Sequence, residues 1–338
     1  MELLYWLESI RTPIGDTFFS LITHFGEETL FIIAGLLFFW CIDKMEGYFL
    51  LSVGLSGTVI NQFLKLWFRI PRPWVKDPNF TIVESARAEA TGYSFPSGHT
   101  QSSVGIFGGL TRWNKTLWLR GISIALCVLV PLSRLYLGVH TPLDVGVSIV
   151  IALALVFGLY PLIRNAQNSS KTMRLLLVSM TVLAIAYVLF IEFYPFADVD
   201  PTNFASGAKN AYTMLGCMLG VWVTYEVDSR YTNFETKAVW WAQLLKLLLG
   251  FALIMGLLVC NVTLKPLVGR IRPYDFQIQE LGKTWEDILL AGKLLVDTPH
   301  DFSFPSGHTI ASFEACTVLM LGNKKLGIPA TLLAIAIA

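Results

Sequence analysis

The sequence predicts an all-α fold, a polytopic membrane helical bundle of about eight to ten transmembrane helices. Three observations carry this expectation. The 338 residues are 54% hydrophobic and only 14% charged, where ordinary soluble domains carry roughly 25% charged residues. The apolar residues gather into runs at 31–40, 122–132, 145–159, 175–191 and 244–262, several approaching the ~20 residues that a spanning helix needs. The polar sequence between the runs repeats itself: Ser-Phe-Pro-Ser-Gly-His-Thr stands at 94–100 and again at 303–309.

At the N-terminus, Glu2 and Glu8 precede any long apolar stretch, which argues against a cleavable signal peptide. Leu3, Leu4, Leu7 and Ile10, then Phe18, Phe19, Ile22 and Phe25, recur at helical spacing. Residues 1–27 are therefore expected to lie along the membrane interface. Spans are expected at 29–42, 48–67, 99–111, 117–138, 142–162, 173–193, 208–225, 238–262, 309–321 and 326–338. Those at 99–111 and 309–321 are short and need neighbours or tilt. Two spans separate loop 68–98 from the turn at His140, and four more separate that turn from loop 263–308. Even counts put all the repeated elements on one side.

The opposite side carries Arg112, Lys115, Arg120, Arg164, Lys171 and Arg174, with Lys324 and Lys325. Loop 194–207, on the repeated-element side, has Asp198 and Asp200 and no basic residue. Lysine and arginine mark the cytoplasmic side, so the repeated elements are expected to face outward across the plasma membrane. A net charge of +1 argues against a nucleic-acid partner. Cys41, Cys127, Cys217, Cys260 and Cys316 sit in or beside apolar runs without paired or metal-like spacing. They read as small core hydrophobes.

Three polar elements carry chemistry. Lys65 and Arg72 close the second span, with Pro71 and Pro73 fixing an extended turn. A point charge and a planar fork both suit phosphate oxygens, although snorkelling cations above an aromatic belt would read the same way. Pro96-Ser97-Gly98-His99 then enters a helix. Ser97 can be simply an N-cap, yet the same geometry aims free amides, that of Gly98 included, at an anion. His99 beside them can donate a proton to a leaving oxygen. The third element is Ser133-Arg134, five residues, His140, three residues, Asp144. Thr141 can cap and Pro142 suits the first helical position. Asp144 either complements the helix dipole or fixes the His140 tautomer so that its other nitrogen can attack phosphorus. Arg134, at the outer end of the preceding span, faces the same pocket.

Together these elements resemble the signature of the type 2 phosphatidic acid phosphatase (lipid phosphate phosphatase) family. The soluble vanadium haloperoxidases share that signature, but the apolar spans exclude them. The resemblance covers Lys65 to Asp144 completely and implies a phosphatase core of six-helix type. It implies His140 as a nucleophile forming a phosphohistidine, oriented by Asp144, and His99 as acid for the leaving group and then base for water. Lys65, Arg72, Ser97, Gly98 and Arg134 would hold the phosphoryl oxygens, with no metal or other cofactor. The implied substrate is a lipid phosphate or a polyprenyl pyrophosphate such as undecaprenyl pyrophosphate, met among membrane lipids at the outer leaflet. A phosphotransferase would use the same intermediate. A lipid-phosphate binder or transporter would keep the pocket without needing both His140 and Asp144.

Lys265, Arg272, Ser306, Gly307 and His308 repeat the first two elements. The interval from His99 to His140 would place a second nucleophile beyond Ala338. The second site is therefore expected to be partial and inactive, and the sequence to be a piece of a longer reading frame. The expected organisation is a complete phosphatase-like membrane domain over 1–162 and additional membrane helices of unassigned role over 163–237. A partial second phosphatase-like domain follows over 238–338. Gly216 and Gly220, four residues apart, predict close helix contact in the middle segment.

Overall fold

The computed structural model describes residues 1–259 apart from 89 and 198. The expected spans at 309–321 and 326–338, and Lys265, Arg272, Ser306, Gly307 and His308, lie outside the described residues. The helices are α1 (Glu2–Ser9), α2 (Pro13–Thr23), α3 (Glu28–Leu37), α4 (Lys44–Phe68), α5 (Pro73–Lys76), α6 (Gly98–Trp113), α7 (Leu117–Tyr136), α8 (Pro142–Ala166), α9 (Ser170–Phe193), α10 (Pro201–Val227) and α11 (Trp240–Val259). Among the described residues no strand occurs, as the apolar patterning requires. The first compact unit comprises Met1–Asp228 with Glu235–Lys237. α11 belongs to a second unit and follows the apolar run expected there.

Four helices, α4 with its extension to Lys76, α7, α8 and α9, are long and apolar enough to cross a membrane. α2 and α3 together make a fifth candidate, bent by 51° at the turn between them. The segment expected along the interface thus includes, at Pro13–Gly26, one arm of a bent helix pair. α6, 16 residues long, and α10 fall outside the long apolar set. α6 needs no apolar outer face because α4, α7 and α8 surround it. Its Thr100, Gln101, Ser102 and Ser103 are all buried. The reverse holds for α7 and α8, which present Ile122, Ile124, Val128, Val150 and Phe157 outward, as helices in contact with lipid do.

α4 is the axis of the bundle. Asp43 caps it by accepting from the Met45 and Glu46 amides at 2.8 and 3.1 Å. Glycines let its neighbours approach closely. Gly35 faces Leu51, Gly54 faces Phe31, and Gly47 lies against the Phe39 backbone. On another face α6 runs antiparallel to α4. Gly109 meets Leu50, Gly105 meets Val53, Gln101 meets Gly57, and Gly98 meets Asn61. α9 and α10 pack on α4 as well. There Gly207 admits Leu66, and its carbonyl accepts from the Tyr187 hydroxyl at 3.2 Å. Gly216 and Gly220 behave differently from expectation. Among the described residues nothing lies within 4 Å of a Cβ added at either, and Gly220 borders an apolar cavity of about 320 Å³ instead.

Aromatic residues collect at both ends of the bundle, as at membrane–water interfaces. Trp67, Phe190 and Tyr194 cluster at one end. At the other, Arg112 stacks 4.0 Å over Tyr160 and Arg164 lies 5.2 Å over Trp113.

A Cβ at position 47 would sit 2.5 Å from the Phe39 backbone nitrogen, which cannot swing aside as a side chain could. Gly47→Ala should therefore lower stability by about 1–3 kcal/mol, the usual scale for overpacking. Thermal unfolding of the purified protein in detergent checks this, with Gly146→Ala, whose Cβ meets nothing within 4 Å, as the neutral comparison.

Candidate active site

The site is assembled where α4 and α7 end and where α6 and α8 begin. After Phe68 the chain turns sharply at Arg69, which takes the left-handed conformation (φ 50°) while its amide bonds back to the Lys65 carbonyl at 2.9 Å. That turn sends the chain through Pro71 to Arg72, which is extended, as a residue before proline prefers. The loop returns with the Ser94 amide on the Ile70 carbonyl at 2.7 Å. Ser97 caps α6 by accepting from the Thr100 amide at 3.4 Å. On the far side, Gly138 (φ 80°) turns the chain out of α7, and Thr141 with Asp144 closes a capping box at the start of α8.

These helix ends enclose a cavity of about 290 Å³. Of the residues singled out in the sequence, Lys65, Arg72, Gly98, His99, Arg134 and His140 line it. Ser97 and Asp144 do not line it. Ser97 is fully buried in its capping role, and Asp144 is buried behind His140.

His140 is hydrogen-bonded at one ring nitrogen and faces a carboxylate with the other. Nε2 lies 3.0 Å from Arg72 Nη1, and Nδ1 lies 3.5 Å from Asp144 Oδ2. A guanidinium can only donate, so Nε2 is the acceptor and carries the lone pair, which leaves the ring proton on Nδ1 toward Asp144. Burial, with Arg72, Arg134 and Lys65 close by, holds the imidazole well below the usual histidine range. His140 is therefore neutral, its Nε2 lone pair accepting from Arg72, and both residues line the cavity.

Carbonyl oxygens hold two of the cations. Arg72 donates to Gly92, Val139 and Thr91 carbonyls at 3.0, 3.0 and 2.6 Å, and Lys65 to the Tyr93 carbonyl at 2.7 Å. Arg134, fully buried, donates from Nη1 to Thr23 Oγ1 at 2.6 Å. α10 and its preceding loop steady the 91–93 segment: the Asp200 amide donates to the Tyr93 hydroxyl at 3.4 Å, and Arg69 donates to the Ala197 carbonyl at 2.5 Å.

Several residues at the site were not read from the sequence. Gly26 and Glu27, before α3, and Glu28 and Thr29, at its start, form part of the cavity lining with Gln62 and Thr91. A Cβ at Gly26 would sit 2.8 Å from His99 Cβ. Ser94 donates from Oγ to Asp144 Oδ2 at 2.5 Å, beside the Thr141 amide at 2.7 Å. Its signal was present, since it opens the repeated heptapeptide.

The arrangement is a cationic, largely buried pocket with a neutral imidazole in its lining, set at one end of a membrane helix bundle. Over residues 46–168 and 244–338 the sequence matches the PAP2 superfamily, and the chain belongs to it. The chain is 27% identical over 232 residues to the "Probable sphingosine-1-phosphate phosphatase" of Dictyostelium discoideum, an alignment covering 64% of this chain and 56% of that protein. It is 29% identical over 151 residues to "Phosphatidylglycerophosphatase B" of Bacillus subtilis, covering 40% of this chain and 69% of that protein. It is 34% identical over 104 residues to "Undecaprenyl-diphosphatase BcrC" of the same bacterium, covering 31% and 51%. The chain thus spans about half the length of the Dictyostelium relative. No solved structure matches it. The apolar helices and this kinship make it an integral membrane protein.

Ser94→Ala would leave a buried carboxylate short of one donor, at a cost of about 1.5–3 kcal/mol for a hydrogen bond to a charged group. Ser148→Ala, which removes a bond to the Asp144 backbone carbonyl instead, should cost less, about 1 kcal/mol. Comparing the thermal unfolding of the two variants checks the difference.

Proposed function

We propose that this chain is a membrane phosphatase releasing phosphate from a lipid phosphate or polyprenyl pyrophosphate, through a phosphohistidine on His140. The observation that supports it most is the orientation of His140, whose Nε2 lone pair is turned toward Arg72 and the cavity while Nδ1 faces Asp144. The names of the relatives share one chemistry, a phosphate at the end of a long hydrocarbon.

In the first step the Nε2 lone pair attacks phosphorus, the bond from phosphorus to the leaving oxygen breaks, and His99 gives that oxygen its proton. The substrate's negative charge is what allows His99 to hold a proton beside three cations. Asp144 stabilises the Nδ1–H as charge develops on the ring. In the second step His99 takes a proton from water, the oxygen attacks phosphorus, and the phosphorus–nitrogen bond breaks. Lys65, Arg72, Arg134 and the Gly98 amide hold the phosphoryl oxygens throughout, where preorganised donors in a dry site act most strongly. Among the described residues no cluster of acids, histidines and cysteines is built to hold a metal ion, and these cations supply the charge such an ion would bring.

His140→Ala should lower phosphate release by several orders of magnitude and remove the acid-labile phosphoprotein formed with labelled substrate. Activity should persist in chelator and fall with vanadate. Turnover by the His140 variant at more than a few per cent of the wild-type rate would overturn the assignment.

The basic residues at the opposite end favour an outward-facing site. Arg112, Arg120, Arg164 and Arg174 lie there, and although Arg174 pairs with Glu226 and Lys44 with Asp228, acids weigh little in setting orientation. A cysteine placed at the exposed Asn79 should react with an impermeant thiol reagent on intact cells, and one at the exposed Asn168 should not. The reverse labelling would put the site in the cytoplasm.

A further inference from the structure

Buried polar atoms are almost always hydrogen-bonded, and those that are not need a reason. In the interface between α4 and α6 the Asn61 and Gln101 carboxamides are 2% and 4% exposed, and none of their four polar atoms has a partner among the described residues. The two differ in what lies beside them. Gln101 is pressed against Gly57, where a Cβ would meet three of its side-chain atoms within 3.3 Å. Asn61 has room in front of it. Beyond its own helix, a Cβ at Gly98 would meet only Asn61 Oδ1, at 3.9 Å, so the space over Gly98 is open as far as that carboxamide. Gly98 and His99 line the cavity, and so do Gln62 and Lys65, which follow Asn61 on α4.

Most of the charge around this space can only donate. Lys65, Arg72, Arg134 and the Gly98 amide have no lone pair to offer, and a water among them is held by its own lone pairs. To attack phosphorus it must be turned round, with its hydrogens given to acceptors. His99 takes one. On the α3 wall, Glu27 is engaged with His24 at 2.5 Å and Glu28 faces the charge of Lys65. We propose that Asn61, beside the turn that carries His99, accepts the second hydrogen and thereby selects water over an alcohol as the phosphoryl acceptor. This rests on the phosphatase reading above. In its second step the water oxygen bonds to phosphorus, one proton passes to His99, and the bond from phosphorus to His140 Nε2 breaks. The hydrogen held by Asn61 stays on the released phosphate. An alcohol has a single O–H hydrogen, which His99 takes, and it presents carbon where Asn61 needs a donor.

The test uses the full chain in detergent, with phosphatidic acid or undecaprenyl pyrophosphate as donor and methanol as competing acceptor. The ratio of methyl phosphate to inorganic phosphate is measured, a quantity independent of how much of the protein is folded. Asn61→Leu should raise this ratio about tenfold, the scale of one lost hydrogen bond. Asn61→Asp, which keeps an acceptor, should return part of the preference for water. Gln101→Leu removes an equally buried carboxamide from the same interface and should leave the ratio within about twofold of the wild type. An unchanged ratio in Asn61→Leu, or an equal rise in Gln101→Leu, would overturn the proposal while leaving the phosphatase reading in place. Should Asn61→Leu fail to fold, the wild type bound to vanadate decides. With vanadium on His140, the apical oxygen opposite Nε2 stands for the attacking water and should lie about 3 Å from the Asn61 carboxamide. An apical oxygen out of its reach would equally overturn the proposal. A chain that turns over neither lipid would remove the phosphatase reading and this inference with it.

Discussion

Holding three cations and an imidazole together inside a helix bundle is the constraint on which the rest of this structure depends. Charges in such an interior must be satisfied, and the commonest solution, pairing each with a carboxylate, would cancel the field that attracts an anion. Here carbonyl oxygens do most of the holding. Arg72 is gripped by Thr91, Gly92 and Val139, and Lys65 by Tyr93. Arg134 is met by the Thr23 hydroxyl. Dipoles fix these groups in place while their net charge stays available, which is the preorganisation that anion chemistry needs. The acid nearest the imidazole, Asp144, is drawn back behind His140 by Ser94 and the Thr141 amide.

That solution explains elements that look peripheral. Carbonyls are useful only if the loop presenting them is rigid, so the 91–93 segment is braced by the Tyr93 hydroxyl against Asp200 at the start of α10. The left-handed Arg69 turn, unusual for a residue with a side chain, directs the chain from Lys65 toward Arg72 and reaches the segment before α10 through Ala197. α10 and the loop before it therefore support the site loop, while α9 and α10 cover α4.

The parts legible in the sequence were those encoded by unusual residue types at short, repeated spacing. Lys65, Arg72, Gly98, His99, Arg134 and His140 were picked out this way, and they converge on one cavity. Thr23, Glu27 and Glu28 carried no such mark. They lie in a segment whose aromatic periodicity dominates, and the place of Thr23 depends on a contact with Arg134 that is 111 residues away in sequence. Span boundaries failed for a related reason. Hydropathy starts a helix where apolar residues begin, but α10 starts at Pro201, where Asp200 can cap the Asn203 amide. Gly216 and Gly220 had the right spacing for a helix contact, yet spacing does not say whether a neighbour occupies that face.

The register between α4 and α6 has a consequence for what can enter. Gly98, the first residue of α6, stands opposite Asn61, and α4 continues seven residues further to Phe68. At 1.5 Å per residue, α4 runs about 10 Å past that level, and Lys65 near its end lines the cavity together with Gly98. α4 therefore makes a raised wall on one side of the cavity, and on the proposed phosphatase reading a phosphate would reach the Gly98 end on a stalk long enough to pass that wall. Shortening α4 by one turn would lower that wall and take Lys65 with it, so the height of the wall and the cation it carries are one property of the helix.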